Sequence, residues 1–235
     1  MRELPAAAER VAPPYQRAVD GLNSRVWEQF RFTLPLVIGW FMIACSPLIT
    51  AAFVARSANA ADMLALHYVT LGVINPVMFG VLRLQTVSIK FQPEYPGDRR
   101  LLTYSVVAGL ILGVLPLVFA TPWLGKLYFC AYQNLPERLL PTARIAIGVY
   151  SVICVIQAVR ARIEGIAAAK KRSDAIMAGQ IVYTVSLFCI CAVLLPLGVN
   201  GLAIAVAGVI LSPVFVTIAV YGALKFKKEI KCRNK

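Results

Sequence analysis

The sequence predicts an all-α membrane protein, a bundle of six transmembrane helices, and three observations carry that reading. Hydrophobic residues make up 59% of the 235-residue chain and charged residues 15%, with mean hydropathy +0.72, more apolar surface than a soluble domain of this size hides from water. The apolar residues gather into six runs, each near or above the ~20 residues that cross a bilayer as a helix. Most lysines and arginines lie between those runs. The net charge of +13 therefore reads as a topology signal and not as a nucleic-acid surface.

Residues 1–31 hold five arginines and four acids and match neither a signal peptide nor an acid-poor transit peptide. Tyr15, Val19, Leu22, Val26 and Phe30 recur at helical spacing, opposite Arg17, Asp20 and Arg25. This predicts a cytoplasmic amphipathic segment over 1–31 that lies along the membrane surface. A membrane domain over 32–225 and a basic cytoplasmic tail over 226–235 follow. Span one is placed at 33–55 with Pro35 and Pro47, and span two at 63–89 with Asn75-Pro76 near its middle and Arg83 towards its end. Span three, at 101–121, carries Gly109 and Gly113, a G-x-x-x-G spacing that lets a neighbouring helix approach closely. Spans four, five and six are placed at 143–168, 174–195 and 201–224, the last with Ser212-Pro213 inside it. Prolines 47, 76, 116 and 213 predict bent helices, because each removes a backbone donor.

Orientation follows from the cations. Six alternating spans put 17 lysines and arginines on one side and only Arg56, Lys126, Arg138 and Arg144 on the other. Both termini are thus expected in the cytoplasm, with the loop over 122–142 outside and Trp123, Tyr128 and Tyr132 as interfacial anchors. Of six cysteines, Cys45, Cys154, Cys189 and Cys191 fall in spans, Cys232 in the tail and Cys130 in the outer loop. They read as packing residues. Cys189 and Cys191 point to opposite sides of a helix and make no metal clamp.

No phosphate-cradling loop, His-rich helix or paired acids at catalytic spacing is present, so catalysis and a bound cofactor or metal are not expected. The single histidine, His67, reads as an interfacial residue near the outer end of span two, with a proton-sensing role as the alternative. The informative residues are ionisable groups inside spans, which are costly in lipid and mark pathways or partners. Arg160 lies ten residues before Lys170, about 15 Å deep along a helix, and is expected to line a polar cavity. Gln157 and Glu164 share its face, and Glu164 is placed to pair with it at i, i+4. Arg162 falls on nearly the opposite face, packed against another helix or snorkelling to the interface. The candidate substrate-binding set is Arg160, Arg83, Gln157, Glu164 and Asn75. Three cations against one acid within the spans point to an anionic substrate.

Arg160, Gly165, Lys170 and Lys171 closing span four, with the turn from Leu194 through Pro196, Gly198 and Gly201 to Ala203, give a pattern that resembles one lobe of the MATE-like flippase superfamily. The likeness covers about 31–228. It is nearest to the C-terminal lobe of the progressive ankylosis family, to which Val159, Arg160, Ala161, Gly165, Lys170 and Lys171 are similar in placement. The resemblance implies export of small anions such as citrate, pyrophosphate or nucleotide, while other superfamily members extrude drugs or flip lipid-linked sugars. It also implies two six-span lobes per transporter. One lobe here implies a homodimer or a pairing with a partner lobe, unless the chain is a fragment or a degenerate copy. A non-transporting membrane scaffold or accessory subunit is the competing class.

Overall fold

The structure is a computed structural model that describes the backbone over residues 14–91 and 99–233, and side chains at 26, 27, 29–91 and 99–225. The expectations for residues 1–13, for the apolar stripe before Val26 and for the tail side chains lie outside what is described. All regular elements among the described residues are helical: α1 (Pro14–Ala44), α2 (Ser46–Val54), α3 (Ala60–Leu82), α4 (Leu84–Phe91), α5 (Arg99–Leu117), α6 (Pro122–Gly125), α7 (Leu140–Ala169), α8 (Ser173–Leu194) and α9 (Gly201–Arg233). Six stretches are long and apolar enough to cross a membrane: Gln29–Val54, Ala60–Phe91, Arg99–Ala120, Glu137–Ala169, Ser173–Leu194 and Gly201–Lys225. These are the six spans placed from the sequence, with ends shifted by a few residues.

α7 is the centre of the bundle, in contact with α3, α4, α5, α8 and α9. Its sequence explains the position, since small residues let neighbours press close. A Cβ on Gly109 of α5 would stand 2.8 Å from Ala158 Cβ and 3.0 Å from Val155 Cα, and one on Gly113 would stand 2.9 Å from the Ser151 carbonyl oxygen. The G-x-x-x-G of span three thus meets α7 as its spacing predicts. Gly165 plays the same part for α4, where a Cβ would lie 2.6 Å from Ser88 Cβ and 2.7 Å from the Gln85 carbonyl oxygen.

The helices are interrupted at only one of the four prolines. Span one breaks at Cys45, just before Ser46-Pro47, as expected. Span two continues through Asn75-Pro76 as one helix and breaks instead at Arg83, whose N–H turns back to the Gly80 carbonyl at 3.1 Å. The break belongs to packing, because it lets α4 lie against the Gly165 surface of α7. α9 likewise continues through Pro213. α1 runs without interruption from Pro14 into the first span, so the amphipathic lead-in and the span form one rod.

At the end of the bundle here called outer, residues 118–139 form a compact cap. A 3-10 turn (Val118–Ala120), α6, a π-helical turn (Lys126–Tyr132) and a second 3-10 turn (Glu137–Leu139) lead into α7. Arg144 Nε donates to the Ala120 carbonyl at 2.6 Å and ties the cap to α7. Phe129 is buried beneath it, whereas Trp123 and Tyr132 are 74% and 76% exposed, the disposition of interfacial anchors. Tyr128 is half-buried and packs edge-on against Phe119 and Phe129.

Candidate functional site

The polar centre of the bundle is built from α7 and α8. Gln157, Arg160 and Glu164 recur at three and four residues on one face of α7, so helix geometry alone aligns them. Arg160 Nε donates to Glu164 Oε1 at 2.8 Å, Nη1 to Gln157 Oε1 at 3.3 Å and Nη2 to Gln180 Oε1 at 2.7 Å. Gln180 Nε2 in turn donates to Glu164 Oε1 at 3.0 Å, closing a ring of side chains across two helices. The guanidinium also lies over the Tyr183 ring, 5.2 Å from its centroid, a cation–π contact. α1 closes the ring from a third side: a Cβ on Gly39 would stand 3.0 Å from Gln180 Cγ.

The pairing of Arg160 with Glu164 is as the sequence predicts. The surroundings of Arg160 differ from the expected polar cavity, since it is 3% exposed and each of its three nitrogens donates to a neighbouring side chain. The physical reason is Gln180, which brings an acceptor and a donor from the next helix to satisfy what would otherwise need water. Sequence reasoning missed Gln180 and Tyr183. A signal was there: Gln180 is the one amide or charged side chain between Asp174 and Leu195, and Tyr183 stands three residues on.

The structure separates the remaining candidates from this ring. Asn75 and Arg83 are both exposed on the outside of the bundle. Tyr68, Gly72, Asn75, Phe79 and Arg83 fall within about 80° of one another around the span-two helix, and all five are exposed. Asn75 sits midway along the stretch Ala60–Phe91, and Arg83 lies eight residues further on, about 12 Å along the axis. Neither side chain has a hydrogen-bond or ionic partner among the described residues. A Cβ on Gly72, the glycine of this arc, would stand 3.6 Å from the Tyr128 hydroxyl, so the outer end of the face touches the cap while Asn75, Phe79 and Arg83 stand exposed. Arg162 is half-buried with an unpartnered Nε, one turn from Ala158 on the side of α7 that meets α5.

His67 corrects the sequence expectation of an interfacial residue. It is fully buried, with Nδ1 3.1 Å from the Tyr150 hydroxyl of α7. The reason is register: His67 follows Leu66 and precedes Thr70 on the buried face of α3, and it is Tyr68 that is exposed. Cys189 is exposed and Cys191 buried, as their spacing requires, and Cys45, Cys130 and Cys154 are also free thiols.

Within the outer cap an apolar groove of about 570 Å³ is lined by Phe119, Leu124, Leu127, Tyr128, Ala131 and Tyr132. No charged side chain lines it, which makes it unsuited to an anion. No group of three or more His, Cys, Asp or Glu residues placed to hold a metal occurs among the described residues. No family model, curated protein or solved structure matches the chain.

Proposed function

We propose that the chain is one six-span half of a membrane exporter that moves a small organic or phosphate-containing anion by alternating access. A second lobe, from another copy or from a partner, completes the pathway, and both termini face the cytoplasm by the bias of the basic loops. The observation that carries this reading is the open face of span two. Asn75 lies at mid-span depth and Arg83 about 12 Å away, within the ~15 Å half-thickness of a bilayer core, and both point out of the bundle. An amide at that depth is poorly served by acyl chains, so a wet or partnered surface suits it better. Arg83 then supplies an uncompensated positive charge for an anion. Arg160, Gln157 and Glu164 take the supporting role of tying α7 to α8.

The scaffold reading draws on a different observation, the complete pairing of Arg160, which leaves the deepest cation with no charge to offer a substrate. Flux separates the two. In proteoliposomes, export or uptake of carboxylate and phosphate anions is expected from the wild-type chain. Arg83→Ala should lower it by about tenfold or more, and Arg83→Lys should retain part, because lysine keeps the charge without the planar two-pronged grip. Arg138→Ala, in an exposed pair with Asp62 at the outer end, serves as the matched control. Absence of flux, or normal flux in Arg83→Ala at equal insertion, returns the protein to the scaffold class. Movement of a lipid-linked sugar phosphate but no free anion would make it a flippase lobe.

A further inference from the structure

His67 is 0% exposed and the one imidazole in the chain. Its Nδ1 meets the buried Tyr150 hydroxyl at 3.1 Å, while its Nε2 is buried with no partner. Both tautomers leave that second nitrogen unmet: when Nδ1–H donates to Tyr150, Nε2 is a bare acceptor, and when the Tyr150 hydroxyl donates to Nδ1, Nε2–H is an idle donor. Leu66, Ile147 and Ile153 are among the fully buried side chains of the same two helices, and the one polar group a turn away on α3, the Thr70 hydroxyl, is bonded to the Leu66 and His67 carbonyls.

The ionisable groups that approach it are few. On α7 there are Tyr150 and, one turn further, Cys154, with Arg144 held by the Ala120 carbonyl in the other direction; from α8 Tyr183, with Arg160 over its ring, lies near Tyr150, and from the outer cap Tyr128 reaches α3 at Gly72. On α3 itself the Tyr68 ring lies 5.6 Å away, and Asp62, at the outer end, pairs with Arg138. The stretches of α2, α5 and α9 that pack on α3 carry none at this depth. Their ionisable residues, Tyr104, Tyr221 and Lys225 among them, sit at the inner ends, as does Lys90 of α4. No carboxylate is at hand to hold an imidazolium in place.

We propose that His67 and Tyr150 form a proton-binding site, and that the bundle takes up the proton by opening its outer end to water at Nε2. Protonation adds a second N–H donor and a full charge, for which the closed packing offers no partner. Any conformer that wets Nε2 binds the proton more tightly, so falling pH shifts the population toward that conformer. The pair lies two to three turns from the outer ends of α3 and α7, so parting the two helices there exposes it from the end away from the Arg160 ring. The proposal rests on the transporter reading only for the premise that the outer end opens, and its test needs no cargo.

Because His67 is the only histidine, ¹⁵N-histidine labelling of the full chain in lipid nanodiscs reports this one site. As pH falls from about 8 to about 5, the resonance should pass from neutral imidazole to imidazolium. Over the same interval, amide exchange in the outer halves of α3 and α7, corrected for intrinsic rates, should rise by about tenfold or more. His67→Gln should keep those segments protected throughout. Tyr150→Phe removes the hydroxyl that accepts from Nδ1–H of the imidazolium, a stronger bond than it makes to the neutral ring, and should move the transition to lower pH. The proposal is overturned if His67 stays neutral with flat exchange, if it protonates while exchange stays unchanged, or if the exchange rise persists in His67→Gln. Loss of anion flux with this transition intact would count against the export reading alone.

Discussion

Arg160 shows how the meaning of a charged residue is set by its acceptors. The ion pair with Glu164 is buried on both sides, at 4% and 7% side-chain exposure, and truncating one partner leaves the other charge stranded, at a cost of about 3–5 kcal/mol. Arg160→Ala is therefore expected to lose most of the stability of the protein, read as the thermal unfolding midpoint in nanodiscs. The double change Arg160→Met with Glu164→Gln should cost less than the sum of the single changes, because it strands no charge and a neutral glutamine still accepts from Gln180 Nε2. A strictly additive pair of changes would mean that the ring is not a unit. Periodicity within α7 revealed the Gln157, Arg160 and Glu164 alignment in the sequence. It held nothing about Gln180 or Tyr183, because contacts across helices depend on how α8 is rotated, which no single-helix pattern encodes.

At the scale of the helix, close packing around α7 rests on missing side chains. A Cβ at Gly109 has 2.8 Å to its nearest neighbour, whereas one at Gly148 on α7 meets nothing within 4 Å. Gly109→Val is expected to destabilise the bundle by about 1–3 kcal/mol through overpacking, and Gly148→Ala to be neutral or to gain up to about 1 kcal/mol of helix propensity. Equal effects at both positions would contradict the packing described here. The glycine spacing announced this contact in the sequence, but the break at Arg83 was not announced. Prolines mark where a helix tolerates a break, and tertiary packing decides whether it occurs: Ser46-Pro47 sits at a break, while Pro76 and Pro213 lie inside continuous helices. His67 misled for a related reason, because depth along a span says nothing about which face turns inward.

For the whole molecule, length and composition were enough to read six spans and an all-helical bundle, because lipid obliges every backbone group to be met within its own helix. Membrane orientation is the first expectation to check at this scale. A cysteine at Gln133, in the exposed outer cap, should react with an impermeant thiol reagent from outside intact cells, and one at Lys170, in the turn between α7 and α8, only after permeabilisation. Labelling of both from one side would break the six-span topology. The central claim is that the exposed Asn75 to Arg83 face meets water or a second lobe and not lipid. Its most direct test is a spin label at Asn75→Cys in a cysteine-free background in bilayers, with relaxation by oxygen and by a water-soluble nickel complex compared against Leu110→Cys on the exposed apolar face of α5. Oxygen access well below that of Leu110→Cys is the predicted result, with nickel access rising where the face is wet; an oxygen access equal to that of Leu110→Cys, with no nickel effect, would place Asn75 in lipid and contradict the account.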